Sequence, residues 1–184
     1  MNGKVIFVGA GPGAPDLITW RGKNALETAD VIIYAGSLVN PELLALARPD
    51  AVCRNSAGLP LETVIGLIRD AFTAGRTVVR LHTGDPSVYG AIGEQMARLD
   101  ELGITYEIVP GVSSVFAAAA ALQCELTVPG QGQSVILTRQ AGRTPVPADE
   151  SIAQLAANAA TVAVFLSVGD IDALVAEFRQ AGRP

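Results

Sequence analysis

Thr77-Val78-Val79-Arg80-Leu81-His82-Thr83-Gly84-Asp85-Pro86-Ser87-Val88-Tyr89-Gly90 is the stretch on which the fold turns. A short β-branched run leads into a turn cluster at Gly84-Asp85-Pro86, and Tyr89 to Leu102 has helical spacing, so the stretch reads as strand, loop and helix. Ligands of open α/β sheets gather outside the carboxyl ends of such strands. The proline after Asp85 disfavours a helical backbone there and leaves the carboxylate on an extended turn. A plain βα turn accounts for the same residues equally well.

Working outward, the same alternation continues on both sides. Lys4 to Val8 is an apolar run stopped by Gly9-Ala10-Gly11-Pro12-Gly13, the pattern of a buried parallel strand and a tight turn. Asp16 to Ala29 places Leu17, Trp20, Ala25 and Leu26 on one helical face, and Val31 to Tyr34 is a second strand. Pro41 opens a short helix from Glu42 to Ala47, and Ala51 to Arg54 is a third strand. Leu61, Val64, Ile65, Ile68 and Phe72 mark a helix from Pro60 to Ala74 that Gly75 stops. Strand Thr77 to Thr83, helix Tyr89 to Leu102 and strand Thr105 to Val109 complete a mainly parallel α/β domain over 1–111, closed by Pro110-Gly111.

Residues 112–184 read as a second α/β domain. A helix over Ser113 to Leu122 carries five successive alanines, Ala117 to Ala121, whose small side chains suit close packing. Strand Ser134 to Thr138, helix Glu150 to Asn158, strand Thr161 to Leu166 and helix Asp170 to Ala181 follow. With only two convincing strands, this sheet is expected to be incomplete.

Composition narrows the function. The 184 residues are 49% hydrophobic, enough for one ordinary domain or two small ones. Thirteen basic against eighteen acidic residues give a net charge of -5, without a basic stripe, which argues against a nucleic-acid partner. Cys53 and Cys124 stand far apart, and with one histidine they do not make a structural zinc site, so no metal is expected. Unpaired cysteines point to a reducing, cytoplasmic setting. No apolar run approaches a bilayer span, and no signal peptide is read at Met1 to Gly9.

Gly9-Ala10-Gly11-Pro12-Gly13 invites a dinucleotide fingerprint, but the third glycine position is Ala14 and two prolines distort the turn. Asp30 follows at about the right distance for a ribose ligand, yet it precedes the second strand instead of ending it. A nicotinamide-binding reading is therefore the minority one.

Taken together, three segments resemble the tetrapyrrole methylase family, enzymes that transfer a methyl group from S-adenosylmethionine. They are Val8-Gly9-Ala10-Gly11-Pro12-Gly13-Ala14-Pro15-Asp16-Leu17-Ile18-Thr19, then Val79 to Gly90, then Pro110-Gly111-Val112-Ser113-Ser114, in family order and covering nearly the whole chain. The resemblance implies two α/β domains with the donor folded in a cleft between them. It also implies a longer chain, so the second domain is expected to be truncated and this chain to bind the donor poorly. Val109 to Phe116 and Ile136-Leu137-Thr138-Arg139, followed by Gly142 to Pro147, are similar to members of the cobalamin branch. The expected reaction is C-methylation of a corrinoid precursor, at C11 of precorrin-4 or cobalt-precorrin-4.

By this resemblance the donor contacts Pro12, the loop residues Thr83, Gly84, Asp85 and Val88, then Ser113 and Ser114, and finally Leu166 and Ser167. A helix N-cap is an equal reading for either serine. The substrate's acetates and propionates call for cations, and Arg21, Arg54, Arg139 and Arg143 are the candidates, each equally readable as a solvated arginine. His82 joins them, against a core-histidine reading that weighs slightly more. Tyr34-Ala35-Gly36 stands where uroporphyrinogen-methylating members carry an acid, and Arg54-Asn55-Ser56 where they carry a lysine. No acid–base pair is carried over, and the catalytic residues stay unassigned. A homodimer is implied. The alternatives are a relative acting on uroporphyrinogen, another precorrin, ribosomal RNA or diphthamide, a nicotinamide enzyme, and an inactive cofactor-binding fragment.

Overall fold

Strand β1, Lys4–Gly9, is buried from its second residue to its last, as a parallel strand is when neighbours cover both edges and helices cover both faces. In the computed structural model, which describes residues 3–130, 132–142, 144–158 and 161–183, β1 lies between β4 (Thr77–His82) and β5 (Tyr106–Val109). With β2 at Val31–Tyr34 and β3 at Val52–Asn55, the sheet order is β3-β2-β4-β1-β5. Every pairing in it is parallel.

Alternation along each strand sends side chains into two separate cores. Val5, Phe7, Ile33 and Val78 meet Ile65, Ile68 and Phe72 of α2 (Leu61–Thr73) and Leu99 of α3 (Ile92–Glu101). On the opposite face Ile6, Val8, Ile32, Val79 and Leu81 meet Leu26 of α1 (Trp20–Thr28) and Leu43 of the 3₁₀ segment Pro41–Leu46. Leu26 and Ile68 are fully buried, and each such side chain contributes about 1.5–3 kcal/mol relative to exposure.

The connections decide where a ligand can enter. β1 leads to β2, two places away on one side, while β4 leads to β5 on the other side of β1. Because these adjacent strands send their connections in opposite directions, the carboxyl ends of β1 and β4 form a topological switch point.

Three expected helices differ in their bounds. The segment expected as one helix from Asp16 to Ala29 is a 3₁₀ turn at Pro15–Leu17 and then α1, because Ile18 and Thr19 are extended and Thr19 caps α1 by accepting from Gly22 N at 3.1 Å. Glu42 to Ala47 is the 3₁₀ segment Pro41–Leu46, opened by Asn40, whose Oδ1 accepts from Glu42 N. α3 begins at Ile92, not Tyr89, because Tyr89 and Ala91 take left-handed φ values of 54° and 48°.

The chain divides into two compact units, Met1–Ala117 and Ala118–Pro184. The division falls inside α4 (Ser114–Ala121), beyond the Pro110-Gly111 turn. In the second unit β6 (Val135–Arg139) pairs in parallel with β7 (Thr161–Phe165), from Val135 opposite Thr161 to Arg139 opposite Phe165. Helices α5 (Ile152–Asn158) and α6 (Ile171–Gln180) pack with each other, and Ile152 and Leu174 are buried. Among the described residues this sheet has two strands, and no helix is long and apolar enough to cross a membrane.

Candidate functional site

At the switch point of the first unit three backbones cross where only glycine fits. A Cβ on Gly9, at the end of β1, would lie 2.5 Å from Gly111 Cα and 2.6 Å from the Gly84 carbonyl oxygen; one on Gly111 would lie 2.1 Å from that same oxygen. Gly84 itself needs its freedom for another reason, a φ of 61°. Its amide donates to Gly11 O at 2.8 Å, and Gly11 N returns a bond to Gly84 O at 3.2 Å. The loops after β1 and β4 are thus sewn together by a two-residue bridge.

Asp85 extends this crossing to the turn after β5. Its Oδ2 accepts from Gly111 N at 2.9 Å, while Oδ1 accepts from Ser87 N at 2.9 Å and from the Ser87 hydroxyl at 2.5 Å. Val88 N closes the turn on Asp85 O at 3.2 Å, with Pro86 at the position where its fixed φ suits a turn. Burial works to raise the Asp85 pKa. The Ser87 hydroxyl and the Gly111 and Ser87 amides outweigh it, and the carboxyl is held below its ordinary value.

The loop after β2 is tied to the same edge. The Thr83 hydroxyl donates to Leu38 O at 3.2 Å, Asn40 Nδ2 to Gly13 O at 2.8 Å, and the Thr19 hydroxyl to Pro110 O at 3.3 Å. Pro12 and Val88 are half-buried, Ser113 is buried and Ser114 exposed. A Cβ on Gly84 would stand 3.8 Å from Ser113 Cα. In the first unit the structure therefore gathers Gly84, Asp85 and Ser113, with Pro12 and Thr83 in the loops bonded to them. Gly13, at φ 130°, has open space where a Cβ would project, so backbone is presented at this edge for close approach by a ligand.

The basic candidates separate. Arg21 is exposed on the first turn of α1. Arg54 points to the α2 side, where it lines a cavity of about 350 Å³ with Val52, Leu67, Asp70 and Arg76. The His82 imidazole does not face the loops: it is buried and stacks on Phe7 with ring centroids 6.0 Å apart, and among the described residues its Nε2 has no hydrogen-bond partner. Burial, reinforced by the charge of Arg80, lowers its pKa to about 3, so it is neutral near pH 7. His82 reaches the site through its carbonyl, which accepts from Ala10 N at 2.7 Å.

The second unit has its own opening at the carboxyl ends of β6 and β7. A cavity of about 460 Å³ is lined by Arg139, Gln140, Leu166, Ser167, Asp170 and Glu177 among others, within the size range of small-molecule pockets. Ser167 is buried, donates to Phe165 O at 2.8 Å and accepts from Gln140 N at 3.1 Å. Leu166 has a left-handed φ of 57° and is 75% exposed, a strained and solvent-facing apolar residue of the kind found at ligand sites. The Arg139 guanidinium is spent on its own loop, donating to the carbonyls of Gln140, Thr144 and Pro145. Arg143 lies outside the described residues.

Residues 4–184 match the family described as Tetrapyrrole (Corrin/Porphyrin) Methylases. The chain belongs to the tetrapyrrole methylases. A cobalt-precorrin-4 C(11)-methyltransferase of Methanocaldococcus jannaschii is 55% identical over 181 residues, 98% of this chain and 70% of the relative. The X-ray structure of a cobalamin biosynthetic enzyme, cobalt precorrin-4 methyltransferase, superposes with a TM-score of 0.94 at 50% identity over 98% of this chain and 75% of that one. A uroporphyrin-III C-methyl transferase from Thermus thermophilus, complexed with S-adenosylhomocysteine, matches with a TM-score of 0.80 at 32% identity over 99% of this chain and 74% of that one. The fold of this methylase is therefore the α/β arrangement that the resemblance implied, and the dinucleotide reading falls. Asp30, its ribose candidate, sits before β2 at the edge away from the loops, where its carboxylate accepts from Thr77 N at 2.7 Å and pairs with Arg48.

Sequence reading gave no role to Asn40, which ties this edge, or to Arg80 and Gln95 behind it. An arginine inside the β-branched run of β4 is the visible signal for Arg80. The other two announce themselves only through partners far away in sequence.

Proposed function

We propose that the protein is an S-adenosylmethionine-dependent methyltransferase that methylates a corrinoid precursor, precorrin-4 or cobalt-precorrin-4, at C11. One observation carries the substrate: 55% identity across 98% of the chain to a relative of that activity. The glycine crossing at the switch point supports the donor, because it presents close-packed backbone where a nucleoside-bearing ligand can lie against it.

The donor supplies an electrophilic methyl on its sulfonium. Pro12, Thr83, Gly84, Asp85, Val88, Ser113 and Ser114 are the first unit's residues for holding it, and Leu166 and Ser167 are the second unit's own donor candidates. Their task is orientation, since a methyl transfer is accelerated chiefly by holding the reacting atoms in line and in contact. Arg21, exposed beside the first loop, meets a substrate carboxylate; Arg139 shapes its loop. The assembly is a homodimer, as the family resemblance implies, and the unpaired cysteines point to the cytoplasm.

The test is incubation with isotopically labelled donor and, in separate arms, precorrin-4, cobalt-precorrin-4 and uroporphyrinogen, with products read by mass. Gain of one labelled methyl on either precorrin is the expected result. Methylation of uroporphyrinogen alone, or binding of NADH without S-adenosylhomocysteine, overturns the reading.

A further inference from the structure

Behind the loop Gly84–Ala91, on the α3 face of the sheet, lies a buried polar pair. Arg80 is 7% exposed and Gln95 is 5% exposed. Arg80 Nε donates to Gln95 Oε1 at 3.0 Å, and Arg80 Nη1 donates to Ile33 O at 3.2 Å. Among the described residues no ion pair includes Arg80. A buried guanidinium without a carboxylate is costly, so a role beyond packing has to be sought for it.

The geometry of Gln95 supplies one. Arg80 has only donors to offer, so it fixes the amide with its oxygen toward β4 and its nitrogen toward the helix start. Gln95 Nε2 then donates to Ala91 O at 3.1 Å. Ala91 is the N-cap of α3, has no side chain able to cap, and is held at φ 48°. Tyr89, two residues earlier, is at φ 54°, and a Cβ on the intervening Gly90 would lie 2.2 Å from Pro86 O. Two left-handed non-glycine residues around a crowded glycine persist only where the surroundings over-determine them. The loop is clamped at both ends, by Asp85 on Gly111 N and by Gln95 on Ala91 O.

We propose that Arg80 and Gln95 are positioning residues for methyl-donor binding: through Gln95, the buried arginine holds the strained Tyr89–Ala91 turn and so the shape of the Gly84–Val88 loop. The inference rests on the reading of that loop as a donor site. Neither residue touches the donor; each acts through Ala91.

The test compares the parent with Gln95→Glu, Gln95→Met and the double variant Arg80→Met/Gln95→Met. Titration calorimetry with S-adenosylhomocysteine, thermal melting, and KM and kcat for donor and corrinoid are measured on each. Gln95→Met is expected to weaken S-adenosylhomocysteine about tenfold, because Ala91 O loses the side-chain hydrogen bond that holds the turn. Its donor KM rises while its corrinoid KM stays the same. Gln95→Glu keeps an acceptor for Arg80 and so melts near the parent, but it has no N–H for Ala91 O and weakens S-adenosylhomocysteine as Gln95→Met does. The double variant removes the unpaired charge, melts above Gln95→Met and still binds the donor weakly. A folded double variant with parental affinity overturns the proposal, because it would leave the pair a purely structural role. Because this chain is expected to hold the donor weakly, the titrations run to millimolar S-adenosylhomocysteine, and failure of the parent to bind even there would instead remove the donor reading on which the proposal stands.

Discussion

Strand β1 of the first unit buries five of its six residues, whereas all five residues of β7 in the second unit are only half-buried. Both sheets are parallel, and both carry candidate site residues at their carboxyl ends. They hold those residues differently. In the first unit Gly9 at the end of β1 and Gly84 and Gly111 in the loops after β4 and β5 meet backbone to backbone. In the second, the cavity is bordered by a loop whose arginine bonds to its own carbonyls and by Leu166, which projects into solvent. The first unit's candidate site is thus built on packed backbone, and the second unit's on a loop and exposed side chains.

The contrast is most exposed to core substitution. Phe7 is fully buried, stacked on His82 and edge-on to Tyr106, and Phe7→Ala should cost about 3–5 kcal/mol in denaturant unfolding. Leu137 in β6 is 40% exposed, and Leu137→Ala should cost about 1 kcal/mol or less. Trp20, the one tryptophan, reports on the first unit, and circular dichroism reports on both. Equal losses at the two positions would erase the distinction.

Acid should act on the first unit through His82. Its folded-state pKa, about 3, is below the unfolded value, so below about pH 6.5 the unfolded chain takes up a proton that the folded chain does not. Stability therefore falls as pH drops from about 6.5 toward 3, by up to about 1.4 kcal/mol per pH unit. His82→Phe keeps a ring on Phe7, discards the unpartnered Nε2 and should flatten that slope. An unchanged slope would show that His82 is solvated in the native protein.

Glycine substitutions sharpen the comparison further. Gly111→Ala drives a methyl group into Gly84 O and Gly9 Cα and should cost about 1–3 kcal/mol or more. Gly169, bordering the second unit's cavity, has nothing within 4 Å of the point where a Cβ would stand, and Gly169→Ala should leave the melting temperature unchanged. On binding, Asp85→Ala frees Gly111 N and the Ser87 hydroxyl and should weaken S-adenosylhomocysteine about tenfold. Parental affinity in calorimetry would remove Asp85 from the donor site.

Most of the fold was legible because its strands are short apolar runs ended by glycine. Val5 to Val8, Val31 to Tyr34 and Val78 to Leu81 are read correctly since burial on both faces demands an unbroken apolar segment. Errors fell on the loops. Tyr89 and Ala91 have helix-compatible spacing but are left-handed, because contacts to Pro86 and Gln95, and not local preference, set the turn's backbone.

What the sequence determined by itself was therefore the family, the parallel α/β order and the position of the Gly84-Asp85 loop. These follow from local patterns: hydrophobic runs, glycine stops and motifs in a fixed order. Only the tertiary structure decided that Arg80 would be buried without a carboxylate, that the His82 ring would turn into the core, and that Arg139 would bind its own loop. The direction of a side chain at a strand end depends on which helix covers that face and which loop crosses it, and those partners lie tens of residues away in the chain.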